Sequence, residues 1–148
     1  MKSLSSQIPS WLKKTIETQA DFSWHPILFA ACENMSQDYL KFLNTGDWLP
    51  GKNQIFNAFQ IPITSVKYIM YGESPYPRNE SANGFAFWDA QVKELWSEKG
   101  LSKSVNRATS LRNFLKMLLS IHPELNAHTK IQTLNELFKN LLNKGFLL

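Results

Sequence analysis

Cysteine occurs once in this 148-residue chain, at Cys32. One cysteine permits neither an intramolecular disulfide nor a cysteine-based zinc cage, and a reducing interior is the simplest compartment. Histidine is almost as scarce. His25, His122 and His128 are the three present, and they do not share metal-ligand spacing. No apolar run approaches the length of a membrane span. The N-terminal stretch MKSLSSQIPSWLKK has no hydrophobic core of the kind a secretory signal needs. These features predict a cytoplasmic protein that does not enter membranes and uses no metal. Repeats, low-complexity tracts and linkers are also missing, so a single domain over residues 1–148 is expected.

What is present is a globular composition, 43% hydrophobic and 13% aromatic. Such a chain can bury a core. Sixteen Lys+Arg against 12 Asp+Glu give a net charge of +4. That excess is compatible with a phosphate-bearing partner but is too small to demand one.

Apolar spacing predicts a short helix from Pro9 to Gln19 behind a frayed segment 1–8. A second helix is expected to carry Ile27, Leu28, Cys32, Met35, Tyr39, Phe42 and Leu43 without a break to Gly46. A brief helical piece follows over Gln54–Phe59. Val66–Tyr71 is a run of β-formers that reads as a buried strand. Asp89 is placed to cap a short helix reaching Trp96, and Ser110 to cap another over Leu111–Ile121. A last helix spans about Ile131–Asn143. Phe146-Leu147-Leu148 then reads as the start of a further strand. The order predicts an α/β domain with helices around a parallel sheet.

The strand at Val66–Tyr71 spills into a rigid polar loop holding Pro75, Pro77 and Gly84, which closes on Phe85-Ala86-Phe87. Open α/β sheets bind ligands at the C-terminal ends of their strands, so this loop is the candidate site. Taken alone, Phe87 reads as a core residue, Tyr76 as a cover on the loop, Ser110 as an N-cap, and Arg78, Arg107 and Arg112 as solvated.

At this loop the chain resembles the uracil-DNA glycosylases. Their water-activating motif Gly-Gln-Asp-Pro-Tyr-His, followed by Ala-His-Gly-Leu-Ala-Phe, corresponds here to Gly72-Glu73-Ser74-Pro75-Tyr76-Pro77 and Ala82-Asn83-Gly84-Phe85-Ala86-Phe87 with the same separation. Trp24-His25, Gln54–Phe59, Thr109-Ser110-Leu111-Arg112-Asn113 and Leu137–Leu148 also resemble family segments. The likeness therefore runs from about residue 22 onward.

The resemblance implies a DNA-repair enzyme that hydrolyses the N-glycosidic bond of uracil in DNA, with no cofactor. Gly72, Pro75, Tyr76, Asn83 and Phe87 would form the base pocket. Phe87 would stack on the flipped base and Tyr76 would exclude the thymine methyl. Ser110, Arg78 and Arg112 would contact DNA, and Glu73 or Ser74 would orient water.

The departures matter chemically. Ser74 stands where the family has its aspartate, and loss of a general base commonly costs ~10²–10⁴ in rate. Pro77 replaces the motif's histidine. Other branches of the superfamily carry Gly-Glu-Ala-Pro-Gly at this loop, which leaves Glu73 as a surrogate carboxylate. The family's uracil-reading asparagine and its His-Pro-Ser-Pro loop have no counterpart in these residues. The domain is therefore expected to be truncated at its C-terminus. Alternatively it self-associates through an unpaired strand edge. A non-catalytic relative that binds DNA or a protein is the competing expectation.

Overall fold

The computed structural model describes residues 8–148. The expected fraying of segment 1–8 therefore falls almost wholly outside the described residues. α1 (Ser10–Gln19) forms where the apolar spacing places it, with Leu12 and Ile16 one turn apart and fully buried. The expected second helix is two. α2 (His25–Glu33) starts with Pro26 in its first turn, and α3 (Gln37–Thr45) follows after a break. The break lies at Ser36, whose hydroxyl accepts from the Tyr39 N–H at 3.2 Å and so caps a new helix. Asp38 in the first turn of α3 adds favourable charge there. Tyr39 and Phe42 consequently face outward, about half exposed, and are not in the core. Gly46 ends α3 in the left-handed conformation.

Single 3-10 turns at Phe22–Trp24, Asn57–Gln60 and Ile63–Ser65 connect the helices to the sheet. β1 is only Tyr68–Ile69, and β4 is Phe146–Leu147; they pair in parallel with Tyr68 opposite Phe146. Gly145 permits the approach to β4. Its φ is +93°, and a Cβ there would collide with the Ser65 carbonyl oxygen.

The strand at Val66–Tyr71 is not buried as expected. Tyr68 and Ile69 are 56% and 53% exposed, and Tyr71 is 83% exposed. β1 bonds to β4 alone among the described residues, so the apolar run has one neighbour where a central strand would have two.

Successive residues of a strand point to opposite faces, and β4 uses this to divide the core. Leu147 packs with Leu12, Ile16, Trp24, Leu28 and Phe56 on one side. Leu148 packs with Leu111, Phe114, Leu137, Phe138 and Leu141 on the other. The two strands thus lie between two helical layers, an α/β arrangement.

On the second side, the helix expected from Asp89 to Trp96 does not form. Backbone pairing to a distant segment replaces it: Leu95 N–H donates to the Gln132 carbonyl at 3.0 Å and Leu134 N–H to that of Lys93 at 2.8 Å. β2 (Trp96–Ser97) and β3 (Gly100–Leu101) then make a small antiparallel hairpin. Ser102 caps a short α4 (Lys103–Arg107). α5 (Thr109–Ile121) has Ala108 at its cap position, so Ser110 lies inside the first turn and its side chain does not cap it. α6 (Leu134–Asn143) opens on a reciprocal capping box between Thr133 and Glu136. Among the described residues no helix is long and apolar enough to cross a membrane.

Candidate functional site

Beyond β1 the chain folds back over the C-terminal ends of β1 and β4 and encloses a cleft of about 500 Å³. Its walls include Pro50, Ile55, Ala58 and Phe59 from the segment before β1, Ile69–Tyr71 at the end of β1, the loop Gly72–Pro77, the return segment Ala82–Phe87, and Leu147-Leu148 at the end of β4. Ser110, in the first turn of α5, reaches the same cleft. The lining is largely apolar and aromatic, and Glu73 is its only acidic side chain among the described residues.

The return segment is held from below. Gly84 has φ +84°, and a Cβ at this position would collide with the Gln54 carbonyl oxygen. Only glycine fits that approach. Next to it, Asn57 Nδ2 donates to the Asn83 carbonyl at 2.8 Å, while the Asn83 side-chain oxygen accepts from the Phe85 N–H at 3.1 Å. Asn83 therefore shapes the turn with its own amide oxygen.

Phe87 is the sole non-glycine residue with positive φ among the described residues, at 63°. That left-handed conformation is costly for a bulky side chain. Two contacts hold it. The Tyr76 hydroxyl donates to the Phe87 carbonyl at 3.0 Å. The Phe87 ring stacks on Phe114 of α5, with centroids 5.3 Å apart and planes 22° from parallel. Phe114 in turn packs on Phe138, and Trp88 stacks on Phe138 at 5.1 Å. The aromatic floor of the cleft is continuous with the core. Burial, and then the charge of Asp89, push the Tyr76 phenol up to about 12, so it stays a proton donor throughout the neutral range.

Gly72, Glu73, Ser74, Pro75, Tyr76, Asn83, Phe87 and Ser110 all line this cleft. Glu73 and Ser74 are exposed to solvent at its edge. Two of the expected DNA contacts lie elsewhere. Arg112 turns back on its own fold and donates from Nη1 to the Asn106 carbonyl at 3.1 Å, with its Nε buried. Arg78 lies 3.7 Å from the carboxylate of Asp89 and lines a second cleft. The histidines stay away from the cleft; His122 pairs with Glu124 and His25 sits 3.2 Å from the Ala20 carbonyl. No cluster of three His, Cys, Asp or Glu able to hold a metal occurs among the described residues.

Asp89, Asn57 and Phe114 support the site, and sequence reasoning gave none of them that role. Asp89 is buried and accepts from the Gln91 N–H at 3.0 Å, capping a turn where a helix was expected. Asn57 is the polar residue in an otherwise apolar-patterned stretch, which was the available signal. Phe114 reads from sequence only as a helix core position.

No protein-family model matches the chain. Among curated proteins, it is similar to a uracil-DNA glycosylase of Corynebacterium glutamicum, 34% identical over 65 residues that make 44% of this chain and 25% of that protein. A uracil-DNA glycosylase of Borrelia hermsii is 27% identical over 106 residues, 66% of this chain and 48% of that protein. The matches therefore span from a quarter to about half of these relatives' own length. In solved structures, wild-type UNG from Nitratifractor salsuginis superposes with a TM-score of 0.79 at 35% identity, covering 93% of this chain and 61% of that one. A point mutant of the same UNG superposes at 0.80 with 34% identity, covering 63% of that chain. Sequence and fold agree: the chain is a relative of the uracil-DNA glycosylases and carries part of their α/β fold.

Proposed function

We propose that the cleft receives a uracil base flipped out of DNA and that the chain belongs to a DNA-repair protein which hydrolyses the uracil N-glycosidic bond. The observation that carries this reading is the coupling of Tyr76 to Phe87. A hydrogen bond and a ring stack fix the flat face and the wall of one aromatic-floored cleft. A base that leaves the helix stack needs such a partner. Phe87 stacks its ring on Phe114 and is among the residues lining the cleft. Tyr76 stands where a C5 methyl would be rejected. Ser110, at the amino end of α5, supplies a hydroxyl and nearby free N–H groups for a phosphate.

In the reaction, water adds its oxygen to the sugar C1′ as the C1′–N1 bond breaks. The electron pair leaves with the uracil, and solvent protonates it. Glu73, the only carboxylate side chain on the cleft among the described residues, takes the water's proton and offsets the positive charge that develops on the sugar. Ser74 contributes a hydroxyl that orients the water and no charge.

Single-turnover release of uracil from an oligonucleotide tests the assignment. Slow release is expected, abolished by Phe87→Ala and reduced ~10²-fold or more by Glu73→Gln. Release that neither substitution changes would sink it. The uncharged, exposed Ser74 favours a second reading, a non-catalytic DNA-binding relative. Preferential binding of uracil-containing DNA without any release is what that reading expects.

A further inference from the structure

A second, open cleft is lined by Arg78, Lys93, Lys103 and Arg107 against only Glu80 and Asp89 among the described residues. Four cations against two acids leave it net positive. Asp89 is 2% exposed at its side chain and already faces Arg78 at 3.7 Å, and it also accepts from a backbone N–H. Lys93 is anchored by donating to the Ala90 carbonyl at 2.8 Å. Lys103 and Arg107 stand four residues apart on α4, hence on one face. Both are exposed, and neither has a side-chain partner among the described residues.

The two clefts share a wall. Arg78 directly follows Pro77 of the first cleft, and Asp89 follows Phe87 by two residues. The amino end of the 13-residue α5 sits between them, with Ser110 on the first cleft and Ala108 on the second. A strand whose base entered the first cleft would pass its next phosphates over that helix end and onto the basic side chains.

We infer that Arg78, Lys93, Lys103 and Arg107 form a track for the backbone phosphates of the DNA strand that presents its base to the first cleft. The inference builds on the proposed function but makes a separate claim, since a phosphate track reads no base. Each cation that neutralises a phosphate releases counterions. Affinity should therefore depend on salt with a slope of about 0.9 per contact on duplex and about 0.7 on single strands.

The test measures binding of single-stranded DNA with and without uracil, and of RNA of the same sequence, across a range of NaCl concentrations. The doubly substituted Lys103→Gln, Arg107→Gln chain should bind both DNA strands more weakly and lose about 1.4 from the log–log salt slope. The charge-preserving pair Lys103→Arg, Arg107→Lys should restore it. Both sites are exposed, so circular dichroism and melting should match wild type. An unchanged slope, or no DNA binding at low salt, overturns the track. Tighter binding of RNA than DNA with the same slope loss also overturns it, by reassigning the surface. If the slope falls but uracil is neither preferred nor released, the glycosylase reading fails and the track stands. If uracil is released but the slope is unaltered, the track fails and the glycosylase reading stands.

Discussion

The hydroxyl of Tyr76 donates to the backbone carbonyl of Phe87, eleven positions further on, in one 3.0 Å hydrogen bond that closes the segment between them. Tyr76 belongs to the first half of the motif and Phe87 ends the second. The bond ties both halves into one wall of the cleft, and it bears on the residue whose backbone is least comfortable.

Tyr76→Phe keeps the ring and deletes the donor. The Phe87 carbonyl then loses its partner in a partly buried place, at a cost of about 1 kcal/mol. Urea denaturation should show that loss at unchanged m-value. Unaltered stability would mean that water replaces the hydroxyl.

Tyr76 should hold its phenolic proton past the ordinary tyrosine value. Between its ordinary value of 10.0 and about 12 the folded chain keeps this proton while the unfolded chain sheds it. The folded state then binds more protons, so stability falls as pH rises across that window and levels off above it. Burial is the larger cause and Asp89 the second. Asp89→Asn should accordingly move the late step in the phenolate absorbance downward without returning it to the ordinary value.

Phe87→Ala and Phe87→Gly remove the same stack on Phe114. They differ in the backbone, because φ of 63° costs alanine about 1 kcal/mol or more that glycine escapes. The glycine variant should melt higher than the alanine variant. The opposite order would deny that the left-handed conformation persists in solution.

Gly84→Ala should be among the most damaging single changes in the loop. The added Cβ has to displace the Gln54 backbone and adopt a left-handed φ as well. A destabilisation of about 2 kcal/mol or more is expected, read by calorimetry. A melting temperature within a degree of wild type would show that the segment shifts freely.

Local chemistry made much of this chain legible. Leu12 with Ile16 and the glycines after α3 and α6 act within a few residues, so sequence alone placed α1 and the ends of α3 and α6. The capping box of Thr133 and Glu136, by contrast, starts α6 at Leu134 and not at about Ile131. The motif loop was legible for the same reason, since Gly72–Phe87 is a nearly continuous stretch whose residue types carry its geometry.

Elements that depend on distant partners were not legible. Glu94 pairs with Thr133 across the fold, and that long-range bonding turned an expected helix into extended chain. Ser36 broke a periodic pattern because its cap competed with continuing the helix. Val66–Tyr71 has the composition of a buried strand, but burial belongs to neighbours, and among the described residues only β4 pairs with it. Arg112 and Arg78 look alike in sequence; the carbonyl of Asn106 claims one and the buried Asp89 holds the other beside a basic cleft. Sequence by itself determined the residue types of the loop and where α1, α5 and α6 lie. Tertiary structure decided which of those residues share a cleft, because a carbonyl, a ring face or a buried charge brought from far along the chain sets where a side chain can rest.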